Sequence, residues 1–225
     1  MIAFHGKQET KDFYISRVRK HRELDNLIQG TGWEYGKGCA VGCTLESYDH
    51  GRYETELGVP KWLARLEDGI FEGLPEEKAM AWPERFLSAI NVGADLEKIK
   101  APFLIIVLER NLQTLDALPD MSEFKDVQNS IKLSRAANVE MIRCHREGLD
   151  LSAAWSAAWS AAWSAAWSAA WSAAESAAAE SAWSARSAAE SARSAESARS
   201  AESAARSEAY EYFADELIKL IEACK

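Results

Sequence analysis

The sequence predicts a mainly α-helical protein: an α-helical globular domain over residues 1–149, a long Ser/Ala/Trp-repeat helix over 150–208, and an amphipathic C-terminal helix end over 209–225. Three observations carry that expectation. Apolar residues in the first part recur at three- and four-residue spacing among charges. Prolines and glycines stand where such helices would open and close. The last third is dominated by alanine, the best helix former.

Taken in order, residues 7–29 place Phe13, Ile15, Val18, Leu24, Leu27 and Ile28 at roughly helical spacing, and Gly30 and Gly32 stop that helix. Residues 30–43 read as a glycine-rich loop running into Cys39 and Cys43. Pro60 suits the first turn of a helix carrying Trp62, Leu63, Leu66, Ile70 and Phe71, which ends near Gly73. Pro83 is expected to open another through Phe86, Leu87 and Ile90. The run Phe103 to Leu108 is too short to cross a bilayer and reads as the centre of the core. One more helix spans 122–147, closed by Gly148.

The repeat begins after Gly148, with Asp150 or Ser152 as cap. Serine recurs every fourth residue from Ser152 to Ser176, interleaved with Trp155, Trp159, Trp163, Trp167 and Trp171; Trp183 follows, and Glu and Arg then replace tryptophan. Across Ser152 to Ser207 the mean serine spacing is about 3.7 residues, close to the eleven-residue period of straight or slightly right-handed packing. A continuous helix from Ser152 to Ala223 would run about 105 Å. Five tryptophans offer on the order of 1,000 Å² of aromatic surface, more than the roughly 300–600 Å² that a monomer exposes as its largest patch. The expected outcome is a helical bundle or coiled-coil-like homo-oligomer, with Trp155, Trp159, Trp163, Trp167, Trp171 and Trp183 at the contact. Packing of the repeat on its own domain is the plainer alternative. A membrane span over 151–174 is disfavoured: serine stands where Leu, Ile or Val should be, no Lys/Arg cluster flanks the segment, and tryptophan is not confined to its ends. Tyr210, Tyr212, Phe213, Leu217, Ile218, Leu220 and Ile221 then form a conventional apolar stripe for docking on the domain or a neighbouring chain.

Acidic residues outnumber basic ones by 35 to 26, for a net charge of −9, and no basic cluster stands out. Phosphate neutralisation dominates nucleic-acid affinity, so no nucleic-acid partner is expected. Met1 to Gly6 lacks the charged start and apolar stretch of a signal peptide, and Ile2 rules out myristoylation. Four cysteines suit a reducing compartment better than a disulfide framework, so a cytoplasmic location is expected.

The most site-like stretch is Gly36 to Thr44, followed by Tyr48, Asp49 and His50. Gly36, Lys37 and Gly38 are candidates for an anion-binding loop, although the glycine spacing is not that of a Walker loop. Cys39 and Cys43, one helical turn apart, are candidate zinc ligands, with His50, Cys144 or His145 completing a tetrahedron; the spacing is looser than a zinc knuckle, and no cofactor is predicted. Cys43 or Cys39 is also a candidate nucleophile, with His50 or His145 as base and Gln29 near an oxyanion. Against each stands the plain reading of a tight loop packed on a helix. His5 and His21 read as ordinary polar contacts.

At His5-Gly6, Gln29 to Cys43, Glu56-Leu57-Gly58 and Leu63 to Asp68, the chain resembles a group of uncharacterised bacterial and phage proteins with such an N-terminal domain and an Ala-rich tail of short aromatic repeats. The resemblance covers roughly residues 1–95. It implies a source and an architecture, and no activity or catalytic residue. The sequence therefore favours a structural or interaction protein that self-assembles through its repeat over an enzyme. The alternatives are a small-molecule-binding or Cys-dependent or metal-containing domain with the repeat as oligomerisation module, and a membrane-associated protein.

Overall fold

The computed structural model describes residues 1–118, 125–149 and 205–225, and the described chain is mainly helical. Two compact units divide it at Lys100: residues 1–100 with the C-terminal helix form one, and the helices beginning at Ala101 belong to the other.

In the first unit, α1 (Gln8–Glu23) ends well before the expected residue 29. The chain turns at Asp25 with φ 51°, and Leu27 bridges to Gly38 instead of continuing the helix. The expected loop at 30–43 contains a two-stranded antiparallel hairpin, β1 (Trp33–Glu34) and β2 (Lys37–Gly38), followed by a short helix α2 (Ala40–Leu45). Tyr35 and Gly36 both have positive φ, the two-residue turn whose twist matches that of the strands. A π-helical turn (Tyr53–Leu57) precedes α3 (Lys61–Gly73), which Pro60 opens as the sequence suggests. The next helix, α4 (Glu76–Ala89), opens at Pro75. Pro83 lies inside it, a departure from the expected opening at that residue. Its ring removes one backbone bond, but burial of Trp82, Phe86 and Leu87 holds the helix across the break.

The C-terminal helix α7 (residues 205–223) buries Ala214, Leu217, Ile218 and Ile221, one face at 3.6-residue period. It lies against α4 of its own unit: Arg85 donates to Asp215 at 2.7 Å and Lys78 pairs with Glu211 at 2.7 Å. Tyr210 stacks so closely on Gly73 that a Cβ there would collide with its ring. Side chains satisfy the carbonyls that helix ends leave open. Lys11 Nζ donates to Ser88 and Ile90 carbonyls at 2.7 Å, and Asn91 Nδ2 donates to those of Glu222 and Cys224. The core of this unit holds Phe4, Tyr53, Leu63, Phe71, Trp82, Phe86, Leu96 and Leu217, all at most 1% exposed.

The second unit contains α5 (Lys100–Asp116) and α6 (Lys125–Glu147), joined by ion pairs Arg146–Glu109 and Arg135–Asp116. Of the run Phe103 to Leu108, Phe103 is buried and the other five are half-buried, so the run is not the core centre the sequence suggested. Ala137, Ile142 and Cys144 are buried on α6. Gly148, at φ 66°, supplies the left-handed residue that ends it. No helix among the described residues is long and apolar enough to cross a membrane. Residues 150–204 of the expected repeat helix, its six tryptophans and the candidate span at 151–174 lie outside the described residues.

Candidate functional site

The glycines around the cysteines have a packing role that fixes the site. Cys39 N–H donates to the carbonyls of Thr31 and Gly32, at 2.7 and 3.1 Å. A Cβ at either Gly38 or Gly42 would collide with the Gly32 carbonyl oxygen. Gly32 in turn lies under the Tyr48 ring, 2.7 Å from where its own Cβ would stand. The glycine spacing therefore lets the 30–32 segment lie across the start of α2, placing Cys39 at the N-cap. Its Sγ accepts from Gly42 N–H at 3.4 Å.

Opposite Cys39, α3 presents Asp68 and, one turn later, Glu72. Among the described residues, Cys39, Asp68 and Glu72 form the one group whose three ligand atoms all lie within 4.8 Å of one another. Asp68 is 8% exposed. Its Oδ2 receives Tyr48 Oη–H at 3.2 Å and lies 3.1 Å from His50 Nε2, whereas its buried Oδ1 has no hydrogen-bond partner. Glu72 accepts from Gly30 N–H at 2.7 Å. Cys39, Asp68, Glu72 and Gly30 wall an open cavity of about 430 Å³ with Thr31, Trp33, Glu34 and Tyr48. Its ionisable walls are acidic or thiol-bearing, and no lysine or arginine lines it.

Burial and then the nearby Asp68 carboxylate push the Cys39 thiol far above its ordinary range, outweighing the Gly42 amide. Glu72 is raised by burial and by Asp68, against the Gly30 amide. Burial and Asp68 also raise the Tyr48 phenol. Behind the cavity, Glu67 is wholly buried and held far above the carboxylate range by desolvation. Its Oε2 accepts from Tyr53 at 2.6 Å, Trp82 Nε1 donates to its backbone carbonyl at 3.0 Å, and its Oε1 has no partner.

Cys39 lines the cavity, whereas His50 meets the Oδ2 of Asp68 without lining it. Cys43 faces elsewhere: its thiol donates to Asn26 and Gly38 carbonyls, and burial pushes it up to about 12. A pair of thiolates on one helical face does not form, because Cys39 is an extended N-cap residue and not the preceding turn of α2. Cys144 and His145 lie on α6 in the other unit, where the Cys144 thiol donates to Glu140. Gln29 is not free to meet an oxyanion, since its Nε2 donates to Phe71 and Leu74 carbonyls at the end of α3. Gly36 and Lys37 sit on the exposed hairpin tip, and Gly38 N–H is engaged by the Asn26 carbonyl. His5 meets Thr55 O, and His21 meets Glu46 and the Trp33 ring.

Asp68 and Glu72 were not among the residues the sequence singled out, whereas Tyr48, which was, proves to donate to Asp68. A signal existed: Asp68 and Glu72 stand four apart among the apolar positions of α3, which puts a charged pair next to the buried face. Comparison with known proteins adds no assignment: no family model, curated protein or solved structure matches this chain.

Proposed function

We propose that this chain is an interaction protein that assembles with copies of itself through its tryptophan repeat. The observation that carries this reading is the set of five indoles at four-residue intervals, Trp155 to Trp171, in a stretch with no charged residue. Covering them is worth on the order of 20 kcal/mol as an upper bound. Docking of α7 on α4 supports it, because the repeat is followed by a helix whose own apolar face is already covered within the first unit. A second copy offers a matching stripe to cover the indoles. Light scattering on the full chain and on a variant with those five tryptophans changed to alanine tests this. An oligomer that becomes monomeric supports assembly; two monomers sink it.

The acidic cavity beside Cys39 favours a second role for the first unit: binding a small ligand that brings positive charge or hydrogen-bond donors. The buried, unpartnered Oδ1 of Asp68 supports it, since such an oxygen left without a donor costs roughly 1–3 kcal/mol. Spermidine and agmatine are suitable probes in thermal-shift titrations. Stabilisation abolished by Asp68→Asn supports this role; equal response of both proteins, or none, removes it.

A further inference from the structure

Resting on the reading of the cavity as a cation-accepting pocket, we propose that Cys39, Asp68 and Glu72 bind a divalent transition-metal ion of the zinc class. Three observations converge. The thiol sulfur and one oxygen from each carboxylate lie within 4.8 Å of one another, a spacing that a single ion can bridge after small side-chain adjustments. Asp68, 92% buried, lines the cavity and carries a buried oxygen without a hydrogen-bond partner. The other oxygen of that carboxylate is held by Tyr48 and His50, the kind of outer support that fixes a ligating carboxylate in place.

The charges argue the same way. Two carboxylates and a thiol facing one another repel when ionised, and no lysine or arginine lines the cavity to relieve them. A divalent ion relieves that repulsion: the Cys39 S–H bond breaks, its proton leaves to solvent, and the sulfur lone pair binds the metal. One sulfur with two oxygens suits zinc or cobalt(II) better than magnesium or calcium, which prefer oxygen alone. Three protein ligands leave a fourth position facing the cavity, the arrangement in which zinc holds water or an exchangeable ligand. The ligand set differs from a pairing of Cys39 with Cys43, whose thiol is turned to Asn26 and Gly38.

Cobalt(II) titration of the full chain, stripped with chelator and desalted, tests this. The expected result is one equivalent bound, a near-ultraviolet thiolate-to-cobalt band, and competition by zinc but not magnesium. Cys39→Ser should abolish the band, and Glu72→Gln should weaken binding at least tenfold. Cys43→Ser and Cys144→Ser should retain both. Glu72 is at the surface, so E72Q reports on the site even if Cys39→Ser fails to fold, which circular dichroism would reveal. No cobalt band in the unaltered chain, or a band lost with Cys144→Ser and kept with Cys39→Ser, would overturn the metal site. Spermidine stabilisation that depends on Asp68 in a chain indifferent to cobalt would overturn the metal and leave the pocket reading standing.

Discussion

Tyr53 donates its phenol hydrogen to Glu67 at 2.6 Å, and both side chains are fully shielded from water. Burial raises the titration of both groups, and the hydrogen bond from Tyr53 works against that rise at Glu67. It ties the π-helical turn to α3, directly behind Asp68.

Tyr53→Phe leaves the Glu67 carboxyl without its one side-chain partner. The expected loss is roughly 1–3 kcal/mol, read from the urea midpoint at unchanged m-value. Glu67→Leu, which removes the buried polar group while keeping an apolar side chain of similar bulk, should cost less when combined with Tyr53→Phe than the two losses added.

Gly42→Ala drives a methyl group into the Gly32 carbonyl, backbone against backbone, where no side chain can give way. A loss of about 1–3 kcal/mol is expected, with movement of the 30–32 segment seen as changed Trp33 fluorescence. Gly69→Ala is the contrasting case: it lies inside α3, exposed, with nothing within 4 Å of the added carbon. That change should stabilise by roughly 0.5–1 kcal/mol, since glycine is costly within a helix.

Leu217→Ala, on the buried face of α7, should cost about 2–5 kcal/mol if the helix stays docked. Replacing Arg85 by alanine removes an exposed ion pair with Asp215 and should cost no more than about 1 kcal/mol. Thermal melts of the two variants separate apolar docking from surface charge, and equal losses would contradict the view that burial holds α7.

Acid sensitivity should pass through Glu56. Burial alone would raise this carboxyl, but hydrogen bonds from Tyr14 and Arg52, with the charges of Arg52 and Arg17, outweigh it and hold the group below its ordinary value. A carboxylate lowered in the folded state contributes stability above its unfolded pKa, and that contribution is lost as pH falls through the folded pKa. Glu56→Gln should therefore reduce stability at neutral pH and flatten its decline below about pH 4.5. Urea titrations at several pH values check the sign; parallel curves for both proteins would refute it.

Local signals placed several of the helices. Apolar spacing located most of α1, Pro60 opened α3, and the stripe from Tyr210 to Ile221 announced an amphipathic α7, because these signals are written within one turn of chain. The hairpin at Trp33–Gly38 escaped because it is two residues wide on each side, too short for alternation to register. Pro83 was misleading for a related reason. A proline is locally a helix opener, yet the burial of Trp82 and Phe86 outweighs the bond it removes.

The sequence by itself established a helical chain, an acidic balance, a tryptophan repeat, and Cys39 within a glycine-spaced stretch. Only the tertiary structure decided that Asp68 and Glu72 face that cysteine, that Cys43 turns away, and that α7 folds back on α4. The reason is separation along the chain: Cys39 and Asp68 are 29 residues apart, Arg85 and Asp215 are 130 apart, and no local pattern encodes which distant faces meet. Packing selects those partners. The collision space at Gly38, Gly42 and Gly73 shows where close approach was required for it.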